Sequence, residues 1–304
     1  MNRLYIRQAV SISAQGFWEG FSLQDLRDDL LGFKAADADY KTVIPASPLR
    51  RMSKITKMSL LCGLSISRDP AVDWDAIIVG TGLGNLADTE KFLMNSLSQT
   101  GLVSPTAFTQ SSHNTLSGQL ALQLKNHGYN MTHVQRNFSF ENALKDAALQ
   151  FKFGANNILL GAADEHIPLL DSLAKDAGYS DEEISVFGEG ASFFHLGEER
   201  SSNVFVQDIS SQSSANNPLN ALDEFLHKNQ VDKDCCLVIS TGDKLHGTTM
   251  QQRSMTSLAG KYMTSSGLAM HLGCSFLAKK EFRQVVIVNN SSTKGLGLIL
   301  LSHE

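Results

Sequence analysis

Four short runs hold residue types whose spacing could do chemistry. Gly80-Thr81-Gly82-Leu83-Gly84 follows an apolar segment, a setting in which glycines let backbone N–H groups approach a phosphate. It lacks the G-x-G-x-x-G spacing, and no acidic residue ends a second strand at the distance a ribose would need. Close backbone packing is the competing reading. Asp164-Glu165-His166, also after an apolar run, offers either a metal or acid/base cluster or simply a polar loop at a strand end. His133 could act as a base, yet no serine or cysteine nucleophile lies at a turn beside it. Met131, His133 and Gln135 share one face of an extended segment, which suits an interface or a core. Gly188-Glu189-Gly190-Ala191 has the small residues of a tight turn before an apolar strand and reads as structural. No triad, metal-ligand pair or Walker loop is present, so residue chemistry by itself reaches only a soluble α/β domain.

The elements that must position these groups follow from the patterning. Short apolar runs alternate with helix-period segments over 304 residues, enough for one large domain or two joined halves. A helix is expected to open at Ser47-Pro48 and to turn Met52, Ile55, Ser59, Cys62 and Ile66 inward. A buried strand over 76–79, a helix through 92–97, a helix over 114–126 and a short strand over 130–135 come next. After a turn at Arg136-Asn137 follow a helix over 139–153 and a strand over 157–160. The second half repeats the theme, with strands near 203–208, 235–240, 284–289 and 295–301 and helices near 217–228 and 266–279. The polar stretch 210–217 marks the expected division, into residues 1–209 and 210–304, and 290–295 can form a turn.

Composition narrows the function classes. Hydrophobic residues make up 42% and charged residues 19%, with six prolines, so the chain is globular rather than disordered. A net charge of -5 and the absence of basic runs longer than a pair give no nucleic-acid footprint. No apolar run approaches the ~18–20 residues of a membrane span, and the start MNRLYIRQAV lacks a signal-peptide core. Cys62, Cys235, Cys236 and Cys274 have no ligand-like spacing, which leads us to expect reduced thiols in a cytoplasm, no metal and no cofactor.

Five segments, in this order, resemble the beta-ketoacyl synthases (ketosynthases) of the thiolase-like superfamily. Arg50-Arg51-Met52 with its helix is similar to that family's early Arg-rich helix. VGTGLGNLADTEKFL (79–93) resembles its G-T-G-x-G loop and helix, and SPTAFTQSSHNTLSGQLAL (104–122) keeps its N-x-x-x-G pattern through Asn114 and Gly118. FGANNILLGAADEH (153–166) and FGEGASFFHLGEE (187–199) resemble its G-x-A-D and G-E-G-A segments. The resemblance covers nearly all of residues 1–200 and implies a layered αβαβα fold with an abbreviated C-terminal half.

The same resemblance implies that condensation is lost. Asn137 stands where the family has its nucleophilic cysteine, and an amide cannot accept an acyl group. The two histidines that the family uses on the malonyl carboxylate and enolate are matched by Thr241 and Ser266. The glycine- and phenylalanine-rich gate is reduced to residues 290–295. His246-Gly247-Thr248 echoes an H-G-T motif beyond the strand end, and His271 fits no motif; both read as structural. Side chains such as Arg136 and Phe140 are expected to fill the space around Asn137.

Family members without the nucleophile act as chain-length factors. They pair with a catalytic ketosynthase, which draws on an acyl carrier protein, in type II polyketide or fatty-acid-like synthesis. The short second half is similar to such factors of aryl polyene and flexirubin-type clusters, although actinomycete-type factors often carry Gln at the cysteine position. By that resemblance Met131, His133 and Gln135 would face the partner, and a loop of Thr106, Ala107, Phe108 and Thr109 would enter its acyl tunnel. Two alternatives stay open. One is altered chemistry, decarboxylase or acyl transferase, through His133, Gln135 or Glu165; the other is a homodimeric scaffold for acyl carrier protein.

Overall fold

The strands expected from the apolar runs assemble into one sheet, and the helices sort into three layers around it. The computed structural model describes residues 3–21, 26–69, 72–98, 105–200, 202–212, 217–290 and 295–304. In chain order its elements are β1 (Leu4–Ser13), β2 (Gly16–Glu19), α1 (Ala46–Leu49), α2 (Lys54–Ile66), β3 (Ala76–Gly80), α3 (Leu86–Ser98), α4 (Pro105–Gln110) and α5 (Thr115–Leu124). Next are β4 (Tyr129–His133), α6 (Ser139–Lys152), β5 (Asn157–Asp164), α7 (Pro168–Asp176), α8 (Asp181–Ser185) and β6 (Gly190–Gly197). Then come β7 (Val204–Gln212), α9 (Pro218–Lys228), β8 (Cys236–Ser240), β9 (Gln251–Ser254), α10 (Met255–Ala259), α11 (Ser265–Ala278), β10 (Gln284–Asn289) and β11 (Leu296–His303).

The sheet order is β4-β3-β5-β6-β1-β7-β11-β10-β8-β9, with β2 hairpinned onto β1. Read outward from its centre, the order shows the same arrangement twice. β4, β3 and β5 are parallel, and so are β9, β8 and β10; β6 and β11 then run antiparallel, and β1 and β7 close each set. Among the described strands the two sets pair through Leu4–Val206 and Tyr5–Phe205. The division expected at 209/210 falls inside β7, whose apolar start pairs with β1 and whose polar end still pairs with β11. β7 runs to Gln212, and residues 213–216 of the expected boundary lie outside the described residues.

The layers follow from which face of each element is apolar. α6 and α11 lie in the middle, and their side chains share one core with strands of both sets, from Ile6 and Ile78 to Ile239 and Ile287. α11 is apolar nearly all round and buried along almost its whole length, as a helix between two sheet surfaces must be. α2 and α5 cover the outer face of the first set, and α9 covers that of the second through Leu222, Phe225 and Leu226. The result is the αβαβα layering expected.

The helix expected from Ser47-Pro48 is two helices. α1 ends at Leu49, and α2 begins at Lys54 with Ser53 as N-cap; Ile55, Ser59, Cys62 and Ile66 are buried as anticipated, while Met52 precedes the helix. Residues 291–294 of the expected 290–295 turn lie outside the described residues.

Two glycines separate close approach from mere absence of a side chain. A Cβ on Gly80 would sit 2.7 Å from the Ser139 carbonyl oxygen and 2.9 Å from the Phe140 nitrogen, backbone atoms that cannot yield. A Cβ on Gly118, inside α5, would meet nothing within 4 Å. Urea denaturation of the isolated chain should show Gly80→Ala losing about 1–3 kcal/mol. Gly118→Ala should gain about 0.5–1 kcal/mol at unchanged m-value.

Candidate functional site

All six parallel strands end on the same side of the core, and the polar groups there come from both halves. β4 ends at His133, and the chain passes through a 3₁₀ turn at Arg136–Phe138 into α6. Arg136 is forced to a positive φ of 53°. The Ser139 hydroxyl holds this elbow by accepting from Gln135 N–H and donating to the Arg136 carbonyl, each at 2.7 Å. The close approach of Gly80 fixes β3 against it. This is the sharp strand-to-helix turn that the sequence reading required at Asn137.

The other two expected positions do converge there. Asn289, the last residue of β10, donates from Nδ2 to the Asn137 carbonyl at 2.5 Å and to Glu141 Oε1 at 2.8 Å. Its Oδ1 accepts from Thr241 Oγ1 at 3.0 Å, and Thr241 N–H reaches the Val288 carbonyl. Ser266, in the first turn of α11, lies close to the Glu141 carboxyl without a well-directed bond. Asn137, Thr241 and Ser266 thus surround a carboxyl and an amide that sequence reasoning missed. Glu141 is fully buried, and burial pushes its pKa up to about 7 against the downward pull of Asn289 and Ser266. In sequence it was one polar residue in an amphipathic helix; only the covering second half buries it.

Several cysteine and histidine side chains among the described residues are held elsewhere. The Cys62 and Cys274 thiols are fully buried and held protonated by burial, and Cys236 is pushed up to about 12 for the same reason. His271 is packed inside α11, where Nε2 meets the Gly20 carbonyl at 2.6 Å and Nδ1 meets Ser11 Oγ at 2.7 Å. Burial brings its pKa down to about 4, so the ring is neutral. His246 is exposed on the segment after β8. His133 Nε2 contacts Asp146 Oδ2 on α6 at 2.9 Å.

Asp164-Glu165-His166 does not form a cluster, because its side chains go to different loops. Asp164 accepts from Gly82 N–H at 2.8 Å and from both the N–H and hydroxyl of Thr264 at 2.8 and 2.6 Å. Glu165 accepts from Ile55 and Ala87 N–H and, through burial, sits at about 7. His166 Nε2 turns to Asp171 at 2.8 Å. Glu189 accepts from Ala35 N–H, His166 N–H and the Lys54 ammonium. Two N–H groups of the 80–84 loop are likewise taken, by Asp164 and by Thr81 Oγ1. Its glycines serve packing against Met263 and His113. Among the described residues no group of three acidic, Cys or His side chains could hold a metal.

Two expectations about surrounding side chains change. Arg136 is exposed at the elbow and does not fill the centre; Phe140 is buried and packs on Phe194 with ring centroids 5.8 Å apart. The expected loop at 106–109 is the helix α4, which Pro105 opens in its favoured first-turn position. On it Thr106, Phe108 and Thr109 are exposed and Ala107 is half-buried; the Phe108 ring is 63% exposed and leans on Phe92 at 5.7 Å. β4 is an edge strand with Met131 exposed, His133 half-buried, and Gln135 exposed just beyond it, bonded to Asn142.

The family described as beta-ketoacyl synthase, N-terminal domain, matches residues 32–179. Over that span the chain is similar to the ketosynthase family. No curated protein sequence matches it. Among solved structures it resembles the ishigamide ketosynthase/chain length factor, with TM-score 0.78 and 16% identity, covering 99% of both chains. It also resembles a type II polyketide synthase acyl-carrier protein in complex with its ketosynthase, with TM-score 0.77 and 16% identity, covering 100% of this chain and 99% of that one. A ketosynthase–chain length factor complex from Xenorhabdus doucetiae aligns with TM-score 0.60 and 16% identity over 99% of each chain. At such identities these likenesses establish the thiolase-like ketosynthase fold. No helix among the described residues is long and apolar enough to cross a membrane.

Asn289 is the group this ketosynthase-fold centre depends on. Asn289→Ala strips a buried carboxyl and a buried hydroxyl of partners and should cost about 2–4 kcal/mol. Asn142→Ala, at the exposed Gln135 contact, should stay within about 0.5 kcal/mol. Paired thermal and urea unfolding of the two variants makes the comparison.

Proposed function

We propose that this chain is a non-condensing ketosynthase-like subunit, a chain-length factor that pairs with a catalytic ketosynthase in type II polyketide or fatty-acid-like synthesis. The observation that carries this reading is the composition of the centre. An amide side chain stands at the elbow, and a bridging amide, a buried carboxyl and two hydroxyls occupy the positions around it. None of these is a thiolate or an imidazole, which favours a centre without a cysteine-type acyl-enzyme and without paired histidines on an enolate. The Thr241, Asn289 and Glu141 side chains bond to one another, which favours a structural centre over altered chemistry at the same point.

The pairing half of the reading rests on the surface. β4 leaves an edge open, and exposed Met131 beside it and Phe108 on α4 give apolar area for a partner to cover. A ketosynthase with the same fold can present the matching edge, and two of the similar structures are ketosynthases with chain length factors. The acyl carrier protein would then be served through the complex, as the third similar structure pairs a ketosynthase with its carrier. We assign Thr106, Ala107, Phe108 and Thr109 to the partner's tunnel, Met131, His133 and Gln135 to the interface, and the aryl polyene type of cluster to the pathway.

Incubated with acyl-loaded carrier protein, the purified chain should show no covalent adduct by intact mass. Co-expressed with a ketosynthase encoded beside it, it should elute as a heterodimer. An adduct mapped within 130–145 would overturn the non-condensing reading.

A second outcome concerns product length. Ala107→Trp should shorten the product of the reconstituted pair, because overpacking a closed apolar space costs roughly 1–3 kcal/mol, or about ten- to hundredfold against the longest intermediate. Phe108→Ala should lengthen it. An intact heterodimer with unchanged product lengths for both variants would remove the gating role.

A further inference from the structure

We propose that Glu141 is a proton-controlled latch that joins the two halves of the fold at the elbow. The geometry that points to it is the number of elements meeting at one carboxyl. Glu141 belongs to the first turn of α6, and its Oε1 accepts from Asn289 at the end of β10, 2.8 Å away. The same Asn289 amide grips the carbonyl of Asn137 in the elbow. From α11 the Ser266 hydroxyl comes close to the carboxyl, and Gly297 of β11 packs so tightly that a Cβ there would lie 3.0 Å from Oε1. Four elements, one from the first half and three from the second, thus close on a single side chain that is 0% exposed.

Its Oε2 makes no hydrogen bond, and the neighbouring Ser265 and Ser266 hydroxyls are also buried without partners. Such a site tolerates a neutral acid and strongly disfavours a carboxylate, since each unpaired lone pair of the anion adds to the cost of burial. The charged group that acts on Glu141 is Lys145, one turn along α6, whose ammonium is itself engaged by Ser211 Oγ at 2.6 Å. Asn289, Ser266, Asn137 and Gly297, which face it from the other elements, carry no charge.

The direction of the pH effect follows. The closed site holds its proton more tightly than an opened one, with a pKa of about 7 against 4.5 for the group in water. Closure is therefore fully favoured below about pH 4.5, is lost progressively as pH rises through 7, and levels off above that. Opening would free the elbow at 135–138 and the first turn of α11 together, because the elbow is tied to the Asn289 amide that holds this carboxyl and Ser266 of α11 lies against it.

Hydrogen exchange of the purified chain, corrected for intrinsic exchange rates, reads this directly. Between pH 5 and pH 8, peptides covering 134–143 and 262–268 should lose protection by about 10- to 100-fold in the wild type. In Glu141→Gln they should keep it, because the amide has no proton to lose. Glu165, also at about 7, anchors Ile55 and Ala87, so its own titration would register in peptides 53–58 and 84–90 instead. If Glu141→Gln folds poorly, Glu141→Met supplies the same non-titrating comparison. Protection at 134–143 that is independent of pH in the wild type, or that falls equally in the non-titrating variants, would overturn the latch.

Discussion

The Asn289 side-chain amide ties the two halves of the chain at the point where each sends its polar groups inward. One hydrogen fork reaches the elbow carbonyl of Asn137 and the Glu141 carboxyl, and its oxygen takes the Thr241 hydroxyl. The network is buried, so each polar group left without a partner there is costly. The arrangement arises because α6 and α11 run side by side between the two strand sets and begin at neighbouring points. Gly267 of α11 packs within van der Waals reach of Phe140 of α6. Backbone N–H groups at the starts of both helices leave a local positive potential there. In a ketosynthase such a potential suits a reacting acyl group; in this chain the chain's own carboxyl stands close to it.

A second set of buried acids keeps the surrounding loops still. Asp164, Glu165 and Glu189 accept backbone N–H groups from the 80–87 loop, the start of α2, the segment before α11 and residue 35. Each carboxylate ends several otherwise orphaned donors, which explains why acidic residues stand after β5 and before β6, where a site could have been read. These ties fix the frame without taking part in chemistry. They also fix the direction of the elbow, since Thr81 N–H bonds the His133 carbonyl at the end of β4. The elbow, with Arg136 at positive φ, holds the end of β4 and its edge in one orientation.

Much of this protein was determined by the sequence alone. The runs 76–79, 157–160, 235–240 and 284–289 are apolar enough on both faces to be parallel interior strands. The alternation with helix-period segments then leaves few layered folds to choose from. The patterning places the turn at Arg136-Asn137, and the family resemblance points to Asn137, Thr241 and Ser266 before any contact is known. Local chemistry sufficed because those signals lie in short, contiguous stretches with fixed backbone demands.

Tertiary structure decided the rest, for a physical reason in each case. β1 and β9 carry mixed polar patterns and become strands only because neighbours supply their hydrogen bonds. The break between α1 and α2 and the helical form of α4 depend on packing, not on period. The boundary expected at 209/210 falls inside β7, which pairs with strands of both sets. Above all, Glu141 and Asn289 are 148 residues apart and look like ordinary helix and strand-end residues until the second half folds over the first. Burial, which the sequence does not record for a lone Glu, is what raises its pKa and makes it the centre of the site.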